Sequence, residues 1–324
     1  MIHFRHYRND DSPALAALWN RAAPRSAVAR PLSAHEFDRQ VIGGPLFEAA
    51  GLIVAARHGA IVGFAHAGFG PEEGDHPRPL RLGHALGSVL MLVVAPDADD
   101  PEIESGLLNA AERYLRERGA TVLYAGGQAP LNPFYWGVYG GSECAGILAD
   151  HVAFHRAVAN AGYERVGVTI LLEADLARPE PFNPRGFHIK RQTRMSVEED
   201  ALPASWWEAL AVGDHRPTSH RLFSQTDDVC LARASTWDMT GFDRIDGRAR
   251  LGIYDMDVHP GFRRKGYGRH LVAEILRRAR TQSHDLAAVQ TRDTNAPALS
   301  LYQAAGFVPV QTATLYRKPG GPKS

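Results

Sequence analysis

The stretch from Tyr254 to Gly268, Tyr-Asp-Met-Asp-Val-His-Pro-Gly-Phe-Arg-Arg-Lys-Gly-Tyr-Gly, restricts what this chain can fold into more than any other segment. An apolar strand ends at Val258, Pro260 stops it, a short basic loop follows and a helix begins at once. The loop spaces Arg263, Gly266 and Gly268 as R-x-x-G-x-G. Glycine lets backbone N–H groups turn inward and approach an anion without a Cβ in the way. The helix start contributes unpaired donors and a positive dipole end. Arg263, Arg264 and Lys265 contribute formal charge. Together these features describe a pyrophosphate cradle. The dinucleotide turn G-x-G-x-x-G fits less well, because it expects glycine where this chain has Arg263.

The rest of the chain looks like two divergent copies of one plan. Each half opens with a short strand, Ile2 to Tyr7 and Phe187 to Gln192, in which apolar and polar residues roughly alternate. A tryptophan-bearing helix follows, Ala14 to Ala22 and Pro203 to Ala211. Strand-like runs come next: Leu52 to Ala56 and Ile61 to Gly68, joined by a hairpin turn at Arg57 to Ala60, and Val229 to Ser235 in the second half. A strand then passes through proline into a helix, Ser88 to Pro96 and on to Arg116, Leu251 to Pro260 and on to Arg280. Leu271, Val272, Ile275, Leu276 and Ala279 form one apolar face of the second helix. Each half closes with a strand (Thr121 to Ala125, Leu286 to Thr291) and a helix ending in glycine–aromatic, Gly162-Tyr163 and Gly306-Phe307. Glu173 to Arg185, acidic and proline-bearing, serves as the boundary, giving expected domains 1–175 and 184–324.

The string from Val258 resembles motif A of the GNAT N-acetyltransferase superfamily, V-x-P-x-x-R-x-x-G-x-G-x-x-L, with Val258, Pro260, Arg263, Gly266, Gly268 and Leu271 in place. The last helix is similar to the family's closing pattern through Asn295, Ala298, Leu301, Tyr302, Gly306 and Phe307. The resemblance implies a tandem GNAT arrangement: two α/β (α+β) domains, each a mostly antiparallel, splayed sheet flanked by helices. It further implies acetyl-CoA as co-substrate, bound by Met256, Val258, Arg263, Arg264, Lys265, Gly266, Tyr267, Gly268, Arg269, Asn295 and Tyr302. The first half departs from the motif. After Pro96, Asp99 stands where Arg263 stands, Glu102 at Gly266 and Glu104 at Gly268, and the tyrosine position falls on Val158. Carboxylates within about 4–6 Å of a diphosphate repel it. This half is expected to be degenerate for coenzyme binding.

Acetyl transfer from a thioester to an amine needs a base, because an ammonium near pKa 10 is a poor nucleophile at neutral pH. It also needs an oxyanion donor and a proton for the departing thiolate. The resemblance implies Tyr302 as the acid and the Val258 N–H as the oxyanion donor. Tyr302 as a cap on the helix–sheet core, and Asn295 as a helix N-cap, are the structural alternatives. Asp255 and Asp257, two apart on a strand, project from one face. The strand resembles those of aminoglycoside 3-N-acetyltransferases and other small-amine GNATs, which implies Asp255 as base or ammonium anchor with Asp257 second. A salt bridge to Arg250 or another cation is the alternative reading. The glutamate base of histone-type members falls at Gly252. His259, His215 and His220 stand near the loop or the acceptor-side segment. The aromatic run Phe134 to Gly141 is either a plug between domains or part of a binding surface.

Composition narrows the classes. Thirty-six basic and 36 acidic residues leave no net charge, giving no signal for nucleic acid or an anionic membrane. The two cysteines, Cys144 and Cys230, exclude a disulfide framework and a four-cysteine metal site, and no metal is expected. A charged N-terminus and the lack of a long apolar run lead to an expectation of a soluble, cytoplasmic protein. The leading expectation is therefore an acetyl-CoA-dependent N-acetyltransferase acting on a small-molecule amine. The alternatives are a mycothiol-synthase-like enzyme, a protein or peptide N-acetyltransferase, and a non-catalytic acyl-CoA sensor.

Overall fold

The computed structural model describes residues 1–24, 31–71, 82–98, 100–128, 131–203, 205–242 and 246–319. Strands β1 (Ile2–His6), β2 (Leu52–Arg57), β3 (Ala60–Pro71), β4 (Leu82–Val94) and β5 (Val122–Ala125) run through the first half. They are accompanied by helices α1 (Ser12–Ala22), α2 (Ala34–Phe37), α3 (Pro101–Glu117) and α4 (Val152–Asn160), the short strand β6 (Ile147–Leu148) and the long strand β7 (Glu164–Asp175). The second half holds α5 (Gly186–Gln192), β8 (Thr193–Glu198), α6 (Trp206–Val212), β9 (Thr218–Ser224), β10 (Cys230–Asp238) and β11 (Arg250–Val258). It ends with α7 (Tyr267–Thr281), β12 (Leu286–Arg292), α8 (Ala296–Ala304) and β13 (Val308–Lys318). The β2–β3 hairpin turns where expected, with His58 and Gly59 both at positive φ, the mirror-image turn that suits strand twist.

One continuous sheet carries both halves, in the order β1-β2-β3-β4-β5-β13-β7-β12-β11-β10-β9-β8. All its pairs are antiparallel except β4 with β5 and β11 with β12. The order shows an exchange at the centre. β7, last strand of the first half, lies between β12 and β13, with Leu172 opposite both Val289 and Pro309. β13, last strand of the second half, reaches β5 in the first, pairing Tyr316 with Ala125. Each half thus supplies a strand to the other's sheet.

Two expectations fail locally. Phe187 to Gln192 is helix rather than strand, and the strand follows at Thr193–Glu198. Seven residues with one buried side chain, Ile189, suit either period, and the Thr193 hydroxyl donating to the Ile189 carbonyl (2.8 Å) favours the turn. The segment opening at Glu173 is not wholly linker either: its first three residues finish β7.

The aromatic run is a wedge between the halves. Tyr135 stacks on Trp19 (5.6 Å, 14°) in the first core, while Trp136 meets Trp237 (6.4 Å) and Tyr254 (5.8 Å) of the second. Gly137, at φ +74, comes so near Trp237 that a Cβ there would stand 2.7 Å from the indole. Only glycine permits that approach.

Candidate active site

The site grows out of a divergence between two parallel strands. β11 and β12 pair only at Arg250, Leu251 and Gly252, opposite Leu286, Ala287 and Ala288, and separate beyond. The β12-facing edge of β11 from Ile253 onward is left without a strand partner among the described residues. Its peptide groups require something to bond. On the other edge the His259 N–H donates to the Leu231 carbonyl (3.0 Å). Successive N–H groups of a strand alternate in direction, so that of Val258 faces the gap.

A cleft of about 1010 Å³ occupies this gap. Of the expected coenzyme residues, Met256, Val258, Arg263, Arg264, Gly266, Tyr267, Gly268, Arg269, Asn295 and Tyr302 all line it. Lys265 does not; its ammonium lies 5.0 Å over the Phe262 ring. The first α-helical bond of α7 runs from the His270 N–H to the Gly266 carbonyl, so the N–H groups of Tyr267, Gly268 and Arg269 are presented ahead of the ladder.

The two glycines are required for different local reasons. Gly266 adopts φ +94, a left-handed conformation that lets the chain turn into α7. Gly268 borders the cleft and has a packing role as well: a Cβ there would meet Leu301 at 2.8 Å and Val258 at 3.0 Å, so it allows α7 to seat against β11 and α8. Arg263 donates from Nε to the Val258 carbonyl (2.9 Å) and lies 3.5 Å from Asp257. It thereby holds the strand end as well as adding charge. Arg269 donates to the Phe182 carbonyl (2.8 Å). Arg185, from the connector, also lines the cleft, a cation that sequence reasoning missed because it sits outside the motif.

Tyr302 is 4% exposed, its ring against Phe307, and its hydroxyl makes no hydrogen bond among the described residues. Burial, and secondarily the charge of Glu143, raise its pKa above the usual phenol value, so it keeps its proton. Asn295 caps α8, its side-chain oxygen accepting from the Ala298 N–H (3.3 Å), and also borders the cleft.

The aspartates are less alike than their spacing implies. β11 bulges opposite Arg233–Ser235, and Asp255 itself sits at φ +46. Asp255 turns to a small cavity of about 70 Å³ shared with Glu208, Ser219, Arg233 and Tyr254, whereas Asp257 borders the large cleft. Each has a cation: Arg233 lies 3.4 Å from Asp255, and Arg263 faces Asp257. Arg250 instead binds Glu173 and Asp246. Burial raises the Asp255 pKa against the pull of Arg233. Gly252 has no room for a side chain, because a Cβ would stand 2.6 Å from the Trp237 nitrogen.

The histidines are structural or peripheral. His215 packs on Trp237 (4.7 Å) and His220 bonds the Thr236 hydroxyl (2.9 Å); burial lowers both to about 4. His259 is exposed at the strand end.

At the equivalent place in the first half, Glu104 and Asp100 have partners within their own half. Glu104, 2% exposed, receives Arg156 of α4 at 3.0 and 2.5 Å, bridging the two helices. Asp100 caps α3 through the Glu102 N–H and pairs with Arg57 (2.5 Å). Val158 is fully buried. Asp99 lies outside the described residues. The acidic first turn is thus used internally, as helix N-terminal chemistry and ion pairs.

Residues 184–307 match the model of the acetyltransferase (GNAT) family. The matched segment contains β11, α7 and α8, the three elements that form the cleft. The whole chain has the tandem GNAT fold, for it superposes on a tandem GNAT protein from the clavulanic acid biosynthesis pathway over 100% of both chains, with TM-score 0.67 and 18% identity. A GCN5-related N-acetyltransferase from Sphaerobacter thermophilus matches at TM-score 0.64 and 15% identity, covering 99% of this chain and 97% of that one. The GCN5-related glucosamine N-acetyltransferase region of a fungal multi-domain GH3 β-N-acetylglucosaminidase matches at TM-score 0.70 and 16% identity. That match covers 98% of this chain, which spans 38% of the fungal protein. No curated protein sequence matches the chain. The GNAT fold supports acyl-CoA-dependent acetyl transfer in general. Among the described residues no helix is long and apolar enough to cross a membrane.

Proposed function

We propose that the C-terminal GNAT domain transfers an acetyl group from acetyl-CoA directly to the primary amine of a small molecule. The observation that carries this reading is a single cleft containing the unpaired edge of β11, the start of α7 and the Tyr302 phenol. The residues fit the coenzyme: Gly266 shapes the turn, the first N–H groups of α7 and the cations at 263, 264 and 269 suit a pyrophosphate, and Met256 to Val258 offer peptide groups to an extended amide chain. Acetyl-CoA supplies the activated acyl carbon. The Val258 N–H stabilises the oxyanion and Tyr302 protonates the leaving sulfur. Asp255, in its half-buried pocket with Glu208, anchors the acceptor ammonium, with Asp257 in second place. The small volume beside Asp255 favours a small acceptor over a peptide. The N-terminal half is a scaffold that does not take the coenzyme.

Acetyl-CoA at about a hundred times its dissociation constant stabilises a protein by about 2.7 kcal/mol, which for a chain of this size raises the melting temperature by about 5 °C. Arg263→Glu is expected to abolish that rise, because it reverses a charge at the cradle and frees the Val258 carbonyl. Scanning fluorimetry with and without the coenzyme reads the result. A wild-type protein indifferent to acetyl-CoA would dismiss the reading. The acceptor is sought with a panel of glucosamine, spermidine, tyramine and lysine, scored by thiol release. An amino sugar is included because of the activity named for the fungal neighbour.

A further inference from the structure

The aromatic wedge delivers more than packing. At its end stand Gly141, Ser142, Glu143 and Cys144, all from the first half. Three of the four are fixed against the other half. The Ser142 carbonyl accepts from the buried Trp237 Nε1 at 2.9 Å. Gly141, at φ +76, lies so close to β12 that a Cβ would be 2.5 Å from the Gln290 side-chain oxygen. Cys144 is 5% exposed and packs in one apolar cluster with Trp136, Trp237, Tyr254 and Ala288. Glu143, held between them, is partly buried, and no hydrogen bond or ion pair holds its carboxylate among the described residues.

A carboxylate in such a place is costly unless something arrives to meet it. Cys144 packs with Tyr254 of β11 and Ala288 of β12, and Gly141 meets Gln290 of β12, so Glu143 stands where these two strands part; its charge acts on Tyr254 and Tyr302, and that of Asp255 acts on it. The aspartates nearby are already engaged, Asp255 with Arg233 and Asp257 with Arg263. We propose that Glu143, supplied by the N-terminal half, is the general base of the C-terminal half's acetyl transfer, leaving Asp255 to hold the ammonium. This rests on the acetyltransferase reading above.

The protons balance as follows. Glu143 takes one from the acceptor ammonium, freeing the nitrogen lone pair, and passes it to solvent. The lone pair attacks the thioester carbonyl, forming the C–N bond. The nitrogen's second proton leaves by the same carboxylate, the C–S bond breaks, and Tyr302 gives its proton to sulfur before being reprotonated. Burial, and then Asp255, lift Glu143 to about 7, where a base is best matched to neutral operation. The groups facing it are Asp255, Tyr254 and Tyr302 across the interface and Cys144 on its own loop, with Glu208 beside Asp255. None of them is a cation, so the shift is upward. Below about 7 Glu143 is protonated and cannot accept, so activity rises with pH through that value.

The test is the full-length Glu143→Gln protein, which keeps the side chain's shape, assayed with acetyl-CoA and the amine panel from pH 5.5 to 9. We expect kcat/KM to fall by about 10²–10³-fold at pH 8 and the rising limb near neutrality to vanish. Glu143→Asp should restore part of the rate, which a purely structural role would not require. Protection of the protein by acetyl-CoA against thermal unfolding should be unchanged in both variants. A protected Glu143→Gln protein with wild-type rate and pH profile overturns the role of Glu143 while acetyl transfer stands. A wild type with neither protection nor thiol release overturns both.

Discussion

Tyr302→Phe should lower kcat by about 10²-fold or more while the acetyl-CoA melting shift is retained. The substitution removes one hydroxyl from a buried ring that otherwise keeps its place against Phe307. That hydroxyl has no hydrogen-bond partner to lose among the described residues, so folding should be nearly unaffected. The full effect then falls on the step that needs a proton at sulfur. Burial and the nearby Glu143 both keep the phenol protonated, the state an acid requires. Steady-state kinetics at saturating acetyl-CoA, paired with fluorimetry, separates the two quantities. An unchanged kcat would reassign Tyr302 to a structural cap.

Trp136→Ala should cost about 3–5 kcal/mol of unfolding free energy, the usual range for emptying a large aromatic site. Trp136 is 6% exposed and touches Trp237 and Tyr254 across the interface, so the cavity opens between the halves. A urea melt gives the loss directly. The same variant should lose acetyl transfer more than coenzyme binding. The Trp237 indole that holds the Ser142 carbonyl rests against Trp136, whereas the cradle is built from the start of α7 and the loop before it. A variant as stable as wild type would show that the halves are held elsewhere.

The local chemistry of the C-terminal half was legible in the sequence because it is contiguous. Val258 to Leu271 folds into strand, turn and helix from its own residues, and proline, glycine and charge each act within a few positions. Asn295 and Tyr302 were legible for the same reason, lying on one short helix. What the sequence hid is what depends on distant chain. The bulge at Asp255 is visible only against its partner strand, so alternation alone put both aspartates in one site. The role of Gly268 is set by Leu301, 33 residues away. Glu143 carries no motif and gains meaning only because the wedge brings it to β11. The strands β7 and β13 were missed as closing strands because their pairing crosses the boundary that composition suggested.

That crossing has a genetic and kinetic consequence. A chain severed between residues 176 and 186 would not release two autonomous proteins but two fragments, each with a slot one strand wide beside its last strand, and that strand fits the other's slot. A chain built this way cannot shed either half by deletion, since the surviving half would be left with an open seam beside its last strand. Nor can the second half be joined to the first during synthesis until β13 has emerged and threaded back between β5 and β7.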